Sequence, residues 1–420
     1  MAKINVILCG VLLPLFLLGC GLFFAIKLRF FYLIKPLETI KSIVKNKGGF
    51  SSLCVALAGT LGIGNIVGVA SAIIGGGVGS IFWMWISAFF AMGIKYVEVS
   101  LAMKHRRTKN GHYYGGASYY IYDNFKGRFG KNRAYILASF FAFLCAINSL
   151  TTGNLVQANA ISSIFDLPKI LYALIFTILA IIVVCRGIKR ISTFTSVLIP
   201  ILSAFYILLC IIIIISNLKV LPYAFKTIIT EAFNIKSAFF GSLGFGITRA
   251  MRYGVSRGLL SNEAGSGTSP CAHASSSSEN VHSQGCLGIF EVFFDTIILC
   301  TLTALVLIIS KESISSNAMN YVTNAFESGL GAFGKYSALV CCLLFAFATV
   351  ITQYFYGKES LGFITKSPII MLIFTVIFFS ITIISFFIPM SIMWEISDLA
   401  LAIMTIFNLA CILIIYQNKN

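Results

Sequence analysis

The chain has 420 residues, of which 58% are hydrophobic and only 11% are charged. A soluble protein carries about 25% charged residues, so this composition excludes a soluble globular protein and indicates a multi-pass protein of the plasma (inner) membrane. The formal net charge of +17 would suit a nucleic-acid-binding protein, but the Lys and Arg residues lie between apolar runs, as they do in positive-inside loops. We therefore expect the lipid bilayer as a partner and no nucleic acid.

Apolar runs of about 20 residues can each cross the hydrocarbon core of a bilayer, which is about 30 Å thick. The first run ends at Lys27 and Arg29 and is long, so we interpret it as a retained helix rather than a signal peptide. After it, residues 33–47 are amphipathic and are expected on the membrane surface. The sequence predicts eleven runs, at 4–26, 51–74, 80–103, 134–161, 168–185, 192–215, 242–274, 286–310, 333–355, 367–388 and 392–416.

The charged connections orient these helices, because cytoplasmic loops carry an excess of Lys and Arg. Most of the 31 Lys and Arg residues fall in alternate connections, at 27–47, 104–133, 186–190 and 356–366, and in the C-terminal tail. The opposite connections and the N-terminus hold few. We therefore predict an N-terminus outside the cell and a cytoplasmic C-terminus.

A glycine-rich stretch, GTLGIGNIVG at 59–68, interrupts the run 51–74. Each glycine lowers helix stability by about 1 kcal/mol relative to alanine, so three within six positions predict unwound backbone. In lipid, unwound backbone is tolerated only where it is buried in protein or lines a cavity. The alternative is a helix-packing face of the GxxxG type, made by Gly64 and Gly68.

A second break, SNEAGSG at 261–267, falls in the run 242–274. If the first run is set aside, ten apolar runs remain, in two sets of five. Each set begins with a broken helix, and the two broken helices are predicted to cross the membrane in opposite directions. Inverted repeats with broken helices are typical of secondary transporters that bind substrate near the bilayer midplane. We predict an all-α membrane protein of about 11 transmembrane helices, with a 5+5 inverted repeat, an extra N-terminal helix and two broken helices.

The predicted segments follow from this repeat. They are an extra N-terminal transmembrane helix (1–30), an amphipathic cytoplasmic segment (31–49), the first five-helix repeat (50–216), an extracellular connection (217–238), the second five-helix repeat (239–416) and a cytoplasmic tail (417–420).

Three stretches resemble the alanine or glycine:cation symporter family. They are GTLGIGNIVGVA at 59–70 with IFWMW at 81–85, GLLSNEAG at 258–265 with AHA at 272–274, and FAFAT at 345–349. The resemblance runs from about residue 35 to the C-terminus and implies a LeuT-type fold that takes up alanine, glycine or a similar small amino acid with Na⁺. The chain departs from the family at Leu260, usually Phe, and at Gln353, usually Trp. These departures predict a substrate range shifted toward serine or threonine.

An amino acid is a zwitterion, and a dry site must satisfy both of its charged ends. The carboxylate suits N–H groups of the half-helix that begins near Gly64 and Asn65, and the ammonium suits carbonyls of the half-helix that ends near Leu260 and Ser261. Helix breaking without ligand contact is the alternative for each polar residue, and an interhelical hydrogen bond is the alternative for Gln157. The predicted substrate-binding residues are Thr60, Gly62, Gly64, Asn65, Gln157, Leu260, Ser261, Asn262 and Gln353.

Thr349 and Thr352 share one stripe of their helix, which in this architecture faces the first break. With carbonyls near Ala58 and Leu61 they form the predicted Na⁺ site, which contains only neutral oxygens. Ala348 replaces a Ser of the family on the same stripe. The alternative is that each Thr hydroxyl bonds only the carbonyl four residues earlier in its own helix.

Glu263, Asp295 and Asp398 lie in apolar runs, where a charge costs at least about 2.5–3.5 kcal/mol on insertion scales. We interpret Glu263 as an acid that holds the second break, and Asp398 as a gate or a second cation ligand. Arg257 is a candidate partner of one of these acids, with a position at the membrane surface as the alternative. The set C-x-H and H-x₃-C at 271–286 lacks a standard zinc spacing, so we expect no metal beyond Na⁺ and no cofactor.

These features predict a secondary active transporter that couples uptake of a small neutral amino acid to inward Na⁺ movement by alternating access. An H⁺-coupled carrier and a channel are the alternatives. An enzyme is not expected, because neither H-E-x-x-H nor G-x-S-x-G occurs.

Overall fold

The structure is a computed structural model that describes residues 5, 7–46, 48–109, 111–162, 164, 168–185, 187–233, 249–310, 312, 314 and 317–417. The start of the predicted run 242–274, at 242–248, lies outside the described residues. So do residues 234–238 of the predicted extracellular connection and residues 418–420 of the predicted tail.

The described chain consists of α-helices and one short hairpin. The first half contains a π-helical turn (Leu8–Leu12), α1 (Leu13–Lys27), α2 (Phe31–Ile34), α3 (Pro36–Val44), α4 (Phe50–Thr60), a 3₁₀ turn (Ile63–Asn65), α5 (Val67–Gly76), α6 (Ser80–Lys104), β1 (Arg107–Lys109), β2 (His112–Tyr114), α7 (Ala117–Phe129), α8 (Lys131–Leu150), a π-helical turn (Thr151–Leu155), α9 (Val156–Ala160), α10 (Lys169–Val184) and α11 (Ile188–Ser216). The second half contains α12 (Leu221–Ala232), α13 (Arg249–Asn262), α14 (Pro270–Ala274), α15 (Val281–Val292), a π-helical segment (Phe293–Cys300), α16 (Thr301–Ile309), α17 (Ala318–Ile364), α18 (Pro368–Ser385) and α19 (Met390–Gln417).

Eight helical stretches of the described chain are long and apolar enough to cross a membrane. They are Leu8–Lys27, Ser80–Lys104, Lys131–Ala160, Ile188–Ser216, Val281–Ile309, Ala318–Ile364, Pro368–Ser385 and Met390–Gln417. Of the other three predicted runs, 168–185 forms the shorter α10, and unwound backbone divides 51–74 and 242–274. The count of eleven spans and the inverted repeat therefore stay predictions.

Segment 104–133 was expected only as a charged connection, but it contains a hairpin followed by α7. Strands β1 and β2 pair antiparallel, with Arg107 opposite Tyr114, and Gly111 in their turn has a φ of +73°. Arg107 also donates to Asp123 of α7 at 2.7 Å. The turn and this ion pair fold the connection against the end of α6.

Helix α17 is much longer than the predicted run 333–355. It begins at Ala318, where the Asn317 side chain accepts a hydrogen bond from the N–H of Met319 at 2.9 Å. Inside it Gly331 has φ +64° and ψ −156°, a conformation that marks a kink. The apolar run therefore identified only the part after the kink.

Side chains are distributed as expected for a protein surrounded by lipid. Large apolar side chains of α10, α11 and α18 are exposed, for example Ile178 at 54%, Ile201 at 65% and Leu372 at 63%. In contrast, the interior holds polar and charged side chains, including the fully buried Lys95 and Glu98. Buried polar groups need hydrogen-bond partners, so this interior is where a functional site is expected.

Candidate functional site

The first broken helix separates α4 from α5. Between them Gly62 is extended, with φ −123° and ψ −153°, and is followed by the single 3₁₀ turn. The Thr60 hydroxyl donates to Ala56 O at 3.3 Å, within α4, so this predicted binding residue bonds its own helix. The predicted break is present. Gly62 leaves no room for a side chain, because a Cβ there would lie 2.5 Å from Gln157 Oε1.

The second broken helix separates α13 from α14. Three residues between them have positive φ: Glu263 at +50°, Gly265 at +86° and Gly267 at +81°. Gly adopts such angles at no steric cost, whereas Glu263 must be held in this region by its surroundings. Pro270 then begins α14, a position that tolerates its missing N–H.

The two breaks meet inside the protein. A methyl group added at Gly64 would lie 3.2 Å from the Cα of Ser261, so the two backbones are nearly in contact. The Asn65 amide donates to the Ser261 hydroxyl at 2.9 Å. As a result, the positive N-terminal end of α5 lies beside the negative C-terminal end of α13.

Asp295 lies at this junction, a position that the sequence did not assign to the site. Its carboxylate accepts hydrogen bonds from Asn65 at 2.7 Å, from Ser261 at 2.7 Å and from Thr296 at 2.7 Å. Asn262 in turn donates to the Thr296 hydroxyl at 3.1 Å. Three side chains predicted to contact substrate, those of Asn65, Ser261 and Asn262, therefore bond to the π-helical segment. The signal in the sequence was an acidic residue, Asp295, within an apolar run.

Gln157 and Thr349 both reach the first break. Gln157 Oε1 accepts from the N–H of Ile63 at 3.0 Å, and the Thr349 hydroxyl lies 3.3 Å from Leu61 O. Thr349 also donates to Phe345 O at 3.0 Å, in its own helix. The interhelical hydrogen bond considered for Gln157 and the bond within its own helix considered for Thr349 are both present, and their binding roles stay predictions.

The other two members of the predicted ion site lie one turn away. Thr352 points its methyl group at Gly59, at 3.2 Å from the position of an added Cβ, and its hydroxyl has no hydrogen-bond partner among the described residues. Ala58 is fully buried within α4. The oxygens of Leu61 and Thr349 beside the break are neutral, whereas Asn65 of the same break contacts the Asp295 carboxylate. The assignment of Ala58, Leu61, Thr349 and Thr352 to an ion site stays a prediction.

Leu260 and Gln353 are both buried, but they face different neighbours. Leu260 lies 4.0 Å from the position of a methyl group added at Gly68. Gln353 donates to Glu263 at 2.9 Å and packs against Gly153. Gln353 therefore connects α17 to the second break.

A cavity of about 720 Å³ opens at the Gly75 end of the broken helices. Its lining includes Val67, the first residue of α5, and Trp394 of α19. Behind Trp394, the Arg257 guanidinium stacks 4.4 Å from the ring centre and donates to Asp398 at 2.8 Å. The predicted pairing of Arg257 with one of the acids is therefore present.

A network of buried charged side chains lies on the other side of the two breaks from this cavity. Lys95 donates to Glu291 at 3.2 Å, and His273 lies 3.0 Å from the other oxygen of Glu291. His282, grouped with His273 in the sequence, instead contacts Tyr96 at 2.8 Å. In the described chain no group of three His, Cys, Asp or Glu side chains is arranged to hold a metal ion.

Curated relatives match nearly the whole chain. The "Sodium/alanine symporter AgcS" of Methanococcus maripaludis is 33% identical over 430 residues, covering 98% of this chain and 93% of the relative. The "Amino-acid carrier protein AlsT" of Bacillus subtilis is 30% identical over 406 residues, covering 94% of this chain and 85% of the relative.

Solved structures show the same fold at low identity. MhsT in complex with L-phenylalanine has a TM-score of 0.51 at 13% identity, covering 89% of this chain and 99% of MhsT. A manganese transporter mutant of Eremococcus coleocola has a TM-score of 0.52 at 12% identity, covering 88% of this chain and 76% of that one. The model of the sodium:alanine symporter family matches residues 1–419, so with its buried polar junction between two broken helices this chain belongs to that family of multi-pass membrane transporters.

Proposed function

We propose that this protein is a secondary active transporter that couples the uptake of a small neutral amino acid, such as alanine or glycine, to inward Na⁺ movement. The observation that carries this proposal is the meeting of the α5 N-terminus with the α13 C-terminus around Gly64 and Ser261. Opposite helix ends side by side suit a zwitterion, whose carboxylate binds N–H groups and whose ammonium binds carbonyls. The names of AgcS and AlsT support the same cargo class.

Na⁺ binding is proposed between the first break and α17. The carbonyl oxygens of Leu61 and Phe345 lie 3.3 Å and 3.0 Å from the Thr349 hydroxyl, and all three oxygens are neutral. Hard cations prefer oxygen ligands, and unwound backbone supplies them without a charged side chain. Ala58 and Thr352 complete the predicted set from the adjacent turn.

Transport is proposed to proceed by alternating access in a LeuT-type 5+5 inverted repeat of about eleven helices. With an extracellular N-terminus, the cavity at the Gly75 end faces outward, and the Arg257–Asp398 pair lies behind Trp394 of its lining. The opposite end of the bundle, where Gly48 precedes α4, then faces the cytoplasm and is called the Gly48 end.

The substrate is proposed to be small, because the backbones at Gly64 and Ser261 leave little room between them. Leu260 and Gln353 stay candidates for a shift toward serine or threonine. Substitution of Leu260 by Phe together with Gln353 by Trp should change the competition ranking of glycine, alanine, serine and threonine. An unchanged ranking would exclude these two residues from the determinants of specificity.

The proposal is tested by labelled alanine uptake into proteoliposomes with an inward Na⁺ gradient, and with K⁺ in its place. We expect saturable uptake that requires Na⁺ and is inhibited by excess glycine. Uptake that follows only a proton gradient would favour the H⁺-coupled carrier, in which Glu263 or Asp295 takes the proton. Flux that does not saturate would favour a channel.

The ion site is tested by Thr349→Val, which removes the hydroxyl near Leu61 and keeps the side-chain shape. We expect at least a tenfold higher Na⁺ concentration for half-maximal uptake, equivalent to a loss of about 1.4 kcal/mol, with little change in alanine affinity at saturating Na⁺. Thr193→Val is the matched control, because Thr193 bonds Lys189 O in the same way but is exposed on α11. Equal Na⁺ dependence of the two variants would contradict this site.

A further inference from the structure

The interior holds more carboxylates than cations. Glu98, Glu263, Glu291 and Asp295 are each at most 2% exposed. Among the described residues, only Glu291 of these four forms an ion pair, with Lys95 and His273. A buried carboxylate without a cation is costly unless an ion or a proton neutralises it.

The four carboxylates differ in what surrounds them. Asp295 accepts from three side chains, and Glu98 accepts from Asn408 at 2.6 Å and from the N–H of Gly265 at 2.9 Å. Glu263 accepts from Thr268 at 2.5 Å through one oxygen and from Gln353 at 2.9 Å through the other. Glu263 differs from the other three because its second partner, Gln353, has an unsatisfied hydrogen-bonding atom.

Gln353 has a buried oxygen with nothing to bond. Its side-chain nitrogen donates both to Glu263 Oε1 at 2.9 Å and to Gly59 O at 3.4 Å. Its Oε1 atom is fully buried and has no hydrogen-bond partner among the described residues. Standard bond lengths place the two atoms of an amide about 2.2 Å apart, so this oxygen lies within about 5 Å of the Glu263 carboxylate.

Another oxygen without a hydrogen-bond partner among the described residues lies beside the turn of α4 that contains Gly59. The Tyr356 hydroxyl is 2.9 Å from the position of a Cβ added at Gly59, and it too has no partner among the described residues. One charged and three neutral oxygens thus converge from the two breaks and α17. This combination suits a hard cation, which takes oxygens at about 2.3–2.6 Å in the case of Ca²⁺.

From this geometry we infer a second Na⁺ site, formed by the Glu263 carboxylate, the Gly59 carbonyl and the amide oxygen of Gln353. The ion takes the place now held by the Gln353 N–H, between Glu263 Oε1 and Gly59 O, and the amide rotates to present its oxygen. A monovalent ion neutralises the single carboxylate, whereas a divalent ion would leave excess charge in a dry interior.

This site is distinct from the one proposed at Thr349. Gln353 lies four residues further along α17, one helical turn toward the Gly48 end. Its ligands come from both broken helices and α17, whereas the ligands at Thr349 come from the first break and α17 only. The second ion therefore holds the two breaks together, and its release frees them to separate.

The inference rests on the proposed function and is tested through the ratio of ²²Na⁺ to labelled alanine taken up by proteoliposomes. We expect two Na⁺ per alanine in the wild type and one in Gln353→Met, which keeps side-chain length but lacks the amide. In Thr349→Val at saturating Na⁺ we expect the ratio to stay at two. Na⁺ binding to the purified protein without alanine should show two sites in the wild type and one in Gln353→Met.

The outcomes separate the two proposals. Absence of Na⁺-dependent uptake in the wild type would overturn the proposed function itself. Na⁺-dependent uptake with a wild-type ratio of one would overturn only the second site, even if Gln353→Met does not fold. A ratio of two that persists in Gln353→Met would overturn it as well, as would proton uptake with alanine that disappears in Glu263→Gln.

Discussion

At the scale of single residues, the site depends on how closely two backbones approach. Gly64 has no Cβ, and this absence lets the first break lie against Ser261 of the second. The same contact brings Asn65 within 2.9 Å of Ser261 and both of them to Asp295. The absence of a side chain at Gly64 thus allows Asn65, Ser261 and Asp295 to come within hydrogen-bond distance of one another.

Gly64→Ala should therefore disrupt transport, whereas Gly68→Ala should not. The methyl group at position 64 would lie 3.2 Å from backbone that cannot move aside easily, and overpacking of this kind costs about 1–3 kcal/mol. At position 68 the nearest atoms are 3.8 and 4.0 Å away, an ordinary contact. We expect at least a tenfold drop in uptake rate for the first variant and near wild-type uptake for the second. Equal rates would show that the breaks are further apart than described.

At the scale of elements, α13 and α19 are joined by one ion pair beneath the cavity. Arg257 and Asp398 are 9% and 18% exposed, so each is only partly solvated without the other. Removing one partner from such a pair leaves the other charge poorly solvated.

Asp398→Asn should lower thermal stability by about 1–3 kcal/mol, because Arg257 then lacks its carboxylate. Arg257→Gln combined with Asp398→Asn removes both charges and should recover at least half of this loss. Uptake should be low in both Asp398→Asn and the double variant, because neither retains the ion pair between α13 and α19 behind Trp394. Thermal unfolding and alanine uptake of the wild type, of Arg257→Gln and Asp398→Asn alone, and of the double variant form a double-mutant cycle. Additive stability losses would show that the two side chains do not interact.

The broken helices were predictable because glycine and small polar residues are rare inside apolar runs. The hairpin before α7 was not predicted, since its strands of three residues are too short for a period-two pattern. Asp295 was noticed only as an acid in an apolar run. Its place depends on a π-helical segment, Phe293–Cys300, and on contacts with α13 across 34 residues of chain, which local patterns do not encode.

At the scale of the whole molecule, the cavity at the Gly75 end predicts side-specific access. The twelve cysteines include one exposed residue, Cys185, so a Cys185→Ser background is nearly silent to thiol reagents. In that background Ser71→Cys, in the cavity lining, should react with an impermeant reagent added outside intact cells, and Na⁺ with alanine should slow the reaction. The exposed Ser277→Cys, at the Gly48 end, should react only with a permeant reagent. The reverse pattern would contradict an extracellular N-terminus.

The sequence predicted the class of fold, but it did not predict the buried contacts of charged side chains inside it. Run lengths, charge asymmetry and two breaks gave the class of fold, but Lys95 and Glu98 attracted no attention within their run. Their partners lie far along the chain, with Glu291 196 residues after Lys95 and Asn408 310 residues after Glu98. Pairing over such distances leaves no periodic signal in a single sequence.

The Lys95–Glu291 pair also constrains how the protein is made. Helix α6 carries a cation and an acid that each cost about 2.5–3.5 kcal/mol in lipid, and the partner of the cation is synthesised 196 residues later. During translation, the opposite charge available to Lys95 within α6 is Glu98, three residues later on the same helix. The contact of Lys95 with Glu291 can form only once α15 has been synthesised. The buried charges of α6 thus reach their native partners, Glu291, Gly265 and Asn408, only when the second half of the chain is present.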